Sequence, residues 1–288
     1  MIKKYIRTAR PDHYLKNLFV FAPIIFAGDL FELDLLVKIL WTFISFCLAS
    51  SSVYFLNDLC DLQYDRIHPE KKNRPVAAGL ISPGHAAFVS AGLVTIALLV
   101  AWFLVNLEVA FMVLIYLIIN LLYSIKLKHI VLVDILLISL GFITRILAGG
   151  LAIHVPVSDW LLLCVGLLAL FLALSKRRTE FIKYNTDGKQ IARKVLNQYS
   201  EKLLDQFISI TATLSIITYS LYSILNVSHK HLIYTTPFVI YGIFRYLFVI
   251  YNRNGGANPE QEILRDKHLL ITIFLWAISS IVIISFFQ

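Results

Sequence analysis

The chain has 288 residues, 58% of them hydrophobic and 15% charged, with a formal net charge of +8. Soluble domains are roughly 45–50% apolar and roughly 25% charged, so a mean hydropathy of +0.75 excludes an ordinary water-soluble enzyme. Apolar runs recur along the whole length and describe an all-α, polytopic membrane protein. No separate basic domain carries the positive charge, which excludes a nucleic-acid-binding module.

The segment from Met1 to Lys16 is basic and lacks a short apolar core followed by a small-residue cleavage site. It is expected to lie at the membrane interface rather than to form a cleavable signal. A crossing helix needs about 20 apolar residues. Nine are predicted, at 17–31, 35–56, 85–105, 108–124, 131–153, 158–175, 203–225, 232–251 and 268–287. The first is short and contains Pro23. No low-complexity linker interrupts them, and residues 1–288 are expected to form one integral membrane domain. Cys47, Cys60 and Cys164 are odd in number and show neither a disulfide framework nor a metal-binding spacing.

Basic residues collect on alternate connections. One side holds Lys3, Lys4, Arg7, Arg10 and Lys16, then Arg66, Lys71, Lys72, Arg74, Lys126 and Lys128. The same side adds Lys176, Arg177, Arg178, Lys183, Lys189, Arg193, Lys194 and Lys202, and finally Arg253, Arg265 and Lys267. The other side keeps Lys38 and Lys230. Positive loops face the cytoplasm, so the amino terminus and the polar insertions 57–84, 176–202 and 252–267 are expected inside the cell (inner or plasma) membrane. A polar mouth on one face suits an enzyme better than a channel, which needs polar groups along its depth.

The second predicted span ends in Asn57, Asp58, Asp61 and Asp65. Carboxylates in such a place are costly unless cations compensate them, which makes them a functional site by default. Spacings of four put Asn57, Asp61 and Asp65 on one helical face, with Asp58 about two turns from Asp65. A hard cation such as Mg²⁺ takes oxygen ligands of this kind and shares its coordination with substrate phosphates. These four are the candidate metal ligands, and Asp58, Asp61 and Asp65 the candidate catalytic residues. The loop that follows offers Arg66 and Arg74 to a polyanion. The competing interpretation is a solvated helix end neutralised by those two arginines.

Other charged positions cluster on the same face. Lys176, Arg177, Arg178 and Glu180 end the sixth predicted span. They form either a phosphate clamp or a positive-inside anchor with a weak Lys176/Glu180 pair. Asp134 and Arg145 are about three helical turns apart and share a face with Gly141. Each either lines the inner wall of the site or pairs with a neighbouring helix. Gly141, Gly149 and Gly150 allow close helix packing. Tyr123, Lys126 and Lys128 lead out of the fourth span beside Asn120 and Ser124, where Tyr123 serves a phosphate pocket or an aromatic belt. Lys16 and Asn17 either touch a lipid phosphate or anchor the first span. Arg245 is expected to pack structurally.

The Asn57-Asp58-x-x-Asp61-x-x-x-Asp65 pattern resembles the first aspartate-rich motif of the UbiA superfamily of intramembrane prenyltransferases. That resemblance extends over nearly the whole chain and implies a nine-helix bundle with a cytoplasmic-side active site. A second aspartate-rich motif, usual in the superfamily, is replaced here by Lys176-Arg177-Arg178-x-Glu180. This replacement, with Arg10-Pro11-x-His13-Tyr14-Leu15-Lys16-Asn17, Tyr123-Ser124-x-Lys126-Leu127-Lys128, Asn258-Pro259-Glu260 and Leu264-Arg265-Asp266, is similar to the decaprenyl-phosphate phosphoribosyltransferase branch. The branch implies Mg²⁺-dependent transfer of 5-phosphoribose from phosphoribosyl diphosphate (PRPP) to a polyprenyl phosphate, a role in cell wall biosynthesis, and self-association into a homo-oligomer. Two alternatives stay open: transfer of a prenyl diphosphate to an aromatic or other acceptor, and transport of a lipid phosphate.

Overall fold

The computed structural model describes residues 2–68, 71–186, 194–225, 227–253, 255–256 and 258–286. Lys189 and Arg193, and the side chains of Lys194 and Lys230, lie outside the described residues. The short helix α1 (Ile2–Ala9) leads into a 3-10 helix, Pro11–Phe21, and α2 (Ala22–Ala27). Then come α3 (Leu33–Cys60), α4 (Leu62–Ile67), α5 (Pro83–Leu104), α6 (Leu107–Ile125) and α7 (Val133–Ile153). The second half contains α8 (Asp159–Thr186), α9 (Glu201–Leu225), α10 (Thr236–Asn252), α11 (Pro259–Arg265) and α12 (Lys267–Phe286). Among the described residues there is no strand. The chain is a multi-pass integral membrane protein, with eight helices long and apolar enough to cross a bilayer.

Local chemistry sets the ends of these helices. Ser82 caps α5 by accepting from the His85 amide, with Pro83 at the first helical position. Asn106 caps α6 by accepting from Val109 at 2.8 Å. Gly28, with φ +85, closes α2 in the left-handed conformation that glycine adopts without strain.

The first predicted span is not one α-helix. Pro11 and the polar residues Asp12, His13, Lys16 and Asn17 leave residues 11–21 in the tighter 3-10 form, and Pro23 enters at the start of α2. The 3-10 geometry rises about 2.0 Å per residue and α-helix about 1.5 Å, so together the two pieces reach ~31 Å, a bilayer's apolar thickness. Arg10 touches Asp58 at one end of α3, while a Cβ at Gly28 would meet Ile284, near the end of α12, at 3.6 Å. The segment thus runs from one end of the bundle to the other, beside the eight long apolar helices found among the described residues.

The central helix is α7, 61% buried over its apolar window, against 17% for α5. Phe88 and Phe103 on α5 and Phe274 on α12 present exposed rings where lipid is expected. Gly149 lets the 3-10 segment press onto α7, since a Cβ there would stand 2.2 Å from the Val20 carbonyl oxygen. A backbone oxygen cannot swing away as a side chain can. Gly149→Ala is therefore expected to destabilise the protein by at least the ~1–3 kcal/mol typical of overpacking, read as a lower melting midpoint in detergent.

Helices α3 and α8 are each 28 residues long. At about 1.5 Å per residue they run ~42 Å, some 12 Å more than the apolar core of a bilayer. Asn57–Asp58 lie in the last turn of α3, and Lys176–Glu180 lie about two to three turns before the end of α8.

Candidate active site

The acidic motif does not continue one helix. α3 stops at Cys60, Asp61 takes a non-helical conformation (φ −95, ψ 6), and α4 restarts at Leu62. The expected single face of Asn57, Asp61 and Asp65 is lost at that break. Asp58 and Asp65 are each 2% exposed and turn inward together. One guanidinium nitrogen of Arg74 joins them, at 3.3 Å from Asp58 Oδ1 and 2.6 Å from Asp65 Oδ2. Arg10 donates to Asp58 Oδ1 at 2.6 Å. Asp61 instead accepts from Lys128 at 2.5 Å, and Asn57 accepts from the Ser124 hydroxyl. Cys60 faces outward, exposed and unpaired.

Among the described residues, no three Asp, Glu, His or Cys side chains surround one ion-sized position. Two features of the pair at the centre nevertheless fit a cation. Asp58 and Asp65 converge on one positively charged nitrogen, and Asp58 Oδ2 is buried without a hydrogen-bond partner. An unsatisfied buried carboxylate oxygen is costly, and a divalent ion with oxygen preference would satisfy it.

Arg10 was legible in the sequence as a basic residue before a proline, and its contact with Asp58 was not. Its backbone is left-handed (φ 53, ψ 63), a conformation that costs a non-glycine residue about 1–3 kcal/mol. That turn ends α1 and aims the guanidinium at Asp58. The ring of Tyr54, one turn before Asp58 on α3, packs under the same guanidinium at 4.8 Å.

The basic run on α8 fans out. Arg177, 3% exposed, binds Asp134 and Glu180. Arg178 turns to α9, donating to Asp205 at 2.6 Å and Glu201 at 3.1 Å, with its guanidinium 4.3 Å from the Tyr251 ring centre. Lys176 is half-buried and lies within electrostatic reach of Lys16 and His13. The three therefore do not form one clamp. Asp134 is fully buried, and Tyr199 Oη lies 3.5 Å from it while accepting from the Leu132 amide at 2.9 Å.

Arg145 is not joined to Asp134. Its nitrogens donate to Asn17 Oδ1 at 2.7 Å, the Gly141 carbonyl at 2.5 Å and Tyr116 Oη at 3.1 Å. Asn17 also donates toward Cys47 and Ser50, each at 3.3 Å. Arg145 and Asn17 thus tie the first crossing to α3, α6 and α7 within the bundle, away from the mouth. Arg66 and Lys126 are exposed, and Tyr123 is half-buried. Of the basic residues expected around the motif, Arg74 and Lys128 reach the carboxylates.

Arg245 binds Asp266 at 2.8 Å, as expected of a structural residue, and Arg253 joins at 3.0 Å. Hydrogen bonding from Arg245, aided by the Leu269 amide, lowers the Asp266 carboxyl from 3.8 to about 2. A depressed carboxyl stabilises the fold above its ordinary value and loses that contribution as pH falls through its folded one. Asp266→Asn is expected to lower the melting midpoint at neutral pH, with the difference from wild type vanishing between pH 4 and pH 2, measured by acid titration of the unfolding midpoint.

A model of the UbiA prenyltransferase family matches residues 18–284. The chain is 34% identical to the decaprenyl-phosphate phosphoribosyltransferase of Mycolicibacterium smegmatis, over 96% of this chain and 91% of that protein. It is 31% identical to the protein of the same name from Corynebacterium glutamicum, over 94% and 83% of the two chains. A UbiA homolog from Archaeoglobus fulgidus bound to GPP and Mg²⁺ superposes with a TM-score of 0.74 across 98% of this chain and 99% of that one, at 18% identity. The backbone wrapping these carboxylates is thus a transferase's, and the chain belongs to the UbiA prenyltransferase family.

Proposed function

We propose that the protein transfers 5-phosphoribose from PRPP to a polyprenyl phosphate, releasing diphosphate, with its site open to the cytoplasm. The observation that carries this is the convergence of Asp58 and Asp65 on the Arg74 guanidinium, with Arg10 on Asp58 and Lys128 on the neighbouring Asp61 from two further segments. Two phosphate-bearing substrates call for both an acid set to hold a cation and a basic set to hold phosphates. The relatives named decaprenyl-phosphate phosphoribosyltransferase support the same chemistry. Transport is disfavoured, because the cations inside the spans are engaged: Arg145 with neutral partners, Arg245 with Asp266.

Asp58 and Asp65, assisted by Asn57 and Asp61, would hold Mg²⁺ against the donor's diphosphate. A bound ion of this kind neutralises charge that builds on the leaving group. Arg10, Arg74 and Lys128 then turn from carboxylate to phosphate oxygens, where oriented cations lower the barrier. As the C1–O bond loosens, the ribose gains oxocarbenium character and a lipid phosphate oxygen attacks its opposite face. That oxygen is already ionised, so no strong base is needed. Lys176 and Lys16 orient the reactants. Val76 and Ile81 pack against Phe55 and Ala86, which seats the basic loop over the carboxylates and restricts water.

The test is purified protein in detergent with labelled PRPP, a polyprenyl phosphate and Mg²⁺, with and without chelator. Metal-dependent movement of label into lipid is expected. Turnover of a prenyl diphosphate without transfer from PRPP would replace this function with prenyl transfer. Lys176→Ala is expected to raise KM for PRPP about 10-fold, the scale of one phosphate contact; an unchanged KM leaves Lys176 as an anchor only.

A further inference from the structure

A second charged group adjoins the carboxylates on the side of the first crossing. Glu260, on α11, is 7% exposed. Its carboxylate accepts from Lys16, and its Oε1 lies 3.1 Å from His13 Nδ1. Lys16 Nζ itself lies 3.5 Å from that ring nitrogen. The His13 ring packs on Tyr54 with centroids 5.3 Å apart, and Tyr54 in turn supports Arg10, which binds Asp58. An unbroken set of contacts therefore joins Glu260 to the acidic pair.

Charge balance makes the contact informative. Lys16 lies within electrostatic reach of Arg10, Lys176 and Arg145, with Asp12 as a further acid beyond Glu260. Arg10 is matched by Asp58, and Asp12 is half exposed. Holding an ammonium among like charges in a poorly solvated place is costly unless an acid compensates it. Glu260 is the buried acid that does so. Its own position is set by the turn before it: Thr179 donates to the Gly255 carbonyl at 2.7 Å, and Gly256, at φ +100, leaves 2.9 Å between Thr179 Oγ1 and the place of a Cβ. That threonine lies one turn beyond Lys176. The end of α8, the Glu260 turn and the first crossing are thus fixed relative to one another.

We propose that Glu260 is a positioning residue of the transfer site, holding Lys16 charged and aimed, near Lys176, at a phosphate oxyanion of a substrate. The substrate class rests on the function proposed above; the phosphate belongs either to PRPP or to the lipid acceptor. Glu260→Gln is expected to raise KM for one of the two substrates about 10–100-fold, the scale seen when a group orienting a ligand-binding residue is removed, with kcat within about threefold. Whichever KM moves identifies the source of the phosphate. Glu260→Asp should restore most of the loss, and Glu260→Gln combined with Lys16→Met should be no worse than Lys16→Met alone.

A lower melting midpoint with both KM values unchanged would reduce Glu260 to a tether for the loop and overturn the proposal, as would additive effects in the double variant. A readout independent of turnover separates this from the transfer function. Reductive methylation of lysines, read by mass spectrometry, should show Lys16 protected in wild type and not in Glu260→Gln, by inorganic diphosphate with Mg²⁺ where the phosphate is the donor's and by a polyprenyl phosphate where it is the acceptor's. Such protection in a protein that transfers nothing from PRPP would sink the donor assignment and leave Glu260 standing. Lys16 unprotected by both ligands in wild type sinks Glu260's role even where transfer proceeds.

Discussion

Asp58→Asn is expected to lower transfer by about 10³-fold, equivalent to about 4 kcal/mol of transition-state stabilisation, while the protein stays folded. Asp58 accepts from Arg10 and Arg74 through one oxygen and keeps the other buried without a partner. The amide retains the first contact and removes the charge that a metal–diphosphate complex needs. Stability should change far less, because Arg10 and Arg74 have side chains 23% and 26% exposed and can turn to water. Single-turnover transfer of labelled ribose, measured beside the melting midpoint, separates the two effects. A variant at near wild-type rate removes Asp58 from the chemistry, and one that fails to fold assigns it to the frame. Asp61→Asn is expected to cost less than Asp58→Asn, since Asp61 sits at the helix break, 27% exposed and paired with Lys128.

What the sequence disclosed follows from which physical terms are additive. Hydropathy sums residue by residue, so the long helices were legible within a few positions. The first crossing was harder, because prolines and polar side chains at 11–23 favour the 3-10 form that a window average cannot register. The acidic motif was legible as charge placed where apolar sequence ends. Its break at Asp61 was not, since the partners that draw Asp61 and Asp65 apart come from Lys128 and Arg74. The Lys176–Arg178 run could not act as one clamp, because successive helical residues point about 100° apart; Arg177 meets α7 and Arg178 meets α9. Asp134 and Arg145 do share α7, yet their partners lie 43 and 128 residues away along the chain. Glu260 was legible as part of the Asn258-Pro259-Glu260 piece, but not as Lys16's partner, because a buried acid in a polar stretch looks, by residue type, like a solvated one.

Arg177→Met is expected to destabilise the protein by about 3–5 kcal/mol, the usual cost of breaking a buried ion pair from one side. Asp134 is 0% exposed and would be left charged without its guanidinium partner, with Tyr199 Oη at 3.5 Å. At about 2–4 °C per kcal/mol for a chain of this order, the melting midpoint in detergent should fall by roughly 10 °C. Arg177→Met combined with Asp134→Asn should recover much of that loss, because no charge then remains at the fully buried position 134 and Glu180, 30% exposed, can turn to water. Arg178→Ala should cost nearer 1 kcal/mol, since its partners Glu201 and Asp205 have side chains 55% and 36% exposed and return to water. Equal losses in the single and double Arg177 variants would mean that packing, not charge, makes the contribution. Arg177 already holds Asp134 and Glu180 within the bundle, so the phosphate contact proposed for this stretch of α8 is assigned to Lys176. The two neighbours should therefore separate cleanly, with Arg177→Met read in the melting midpoint and Lys176→Ala in KM.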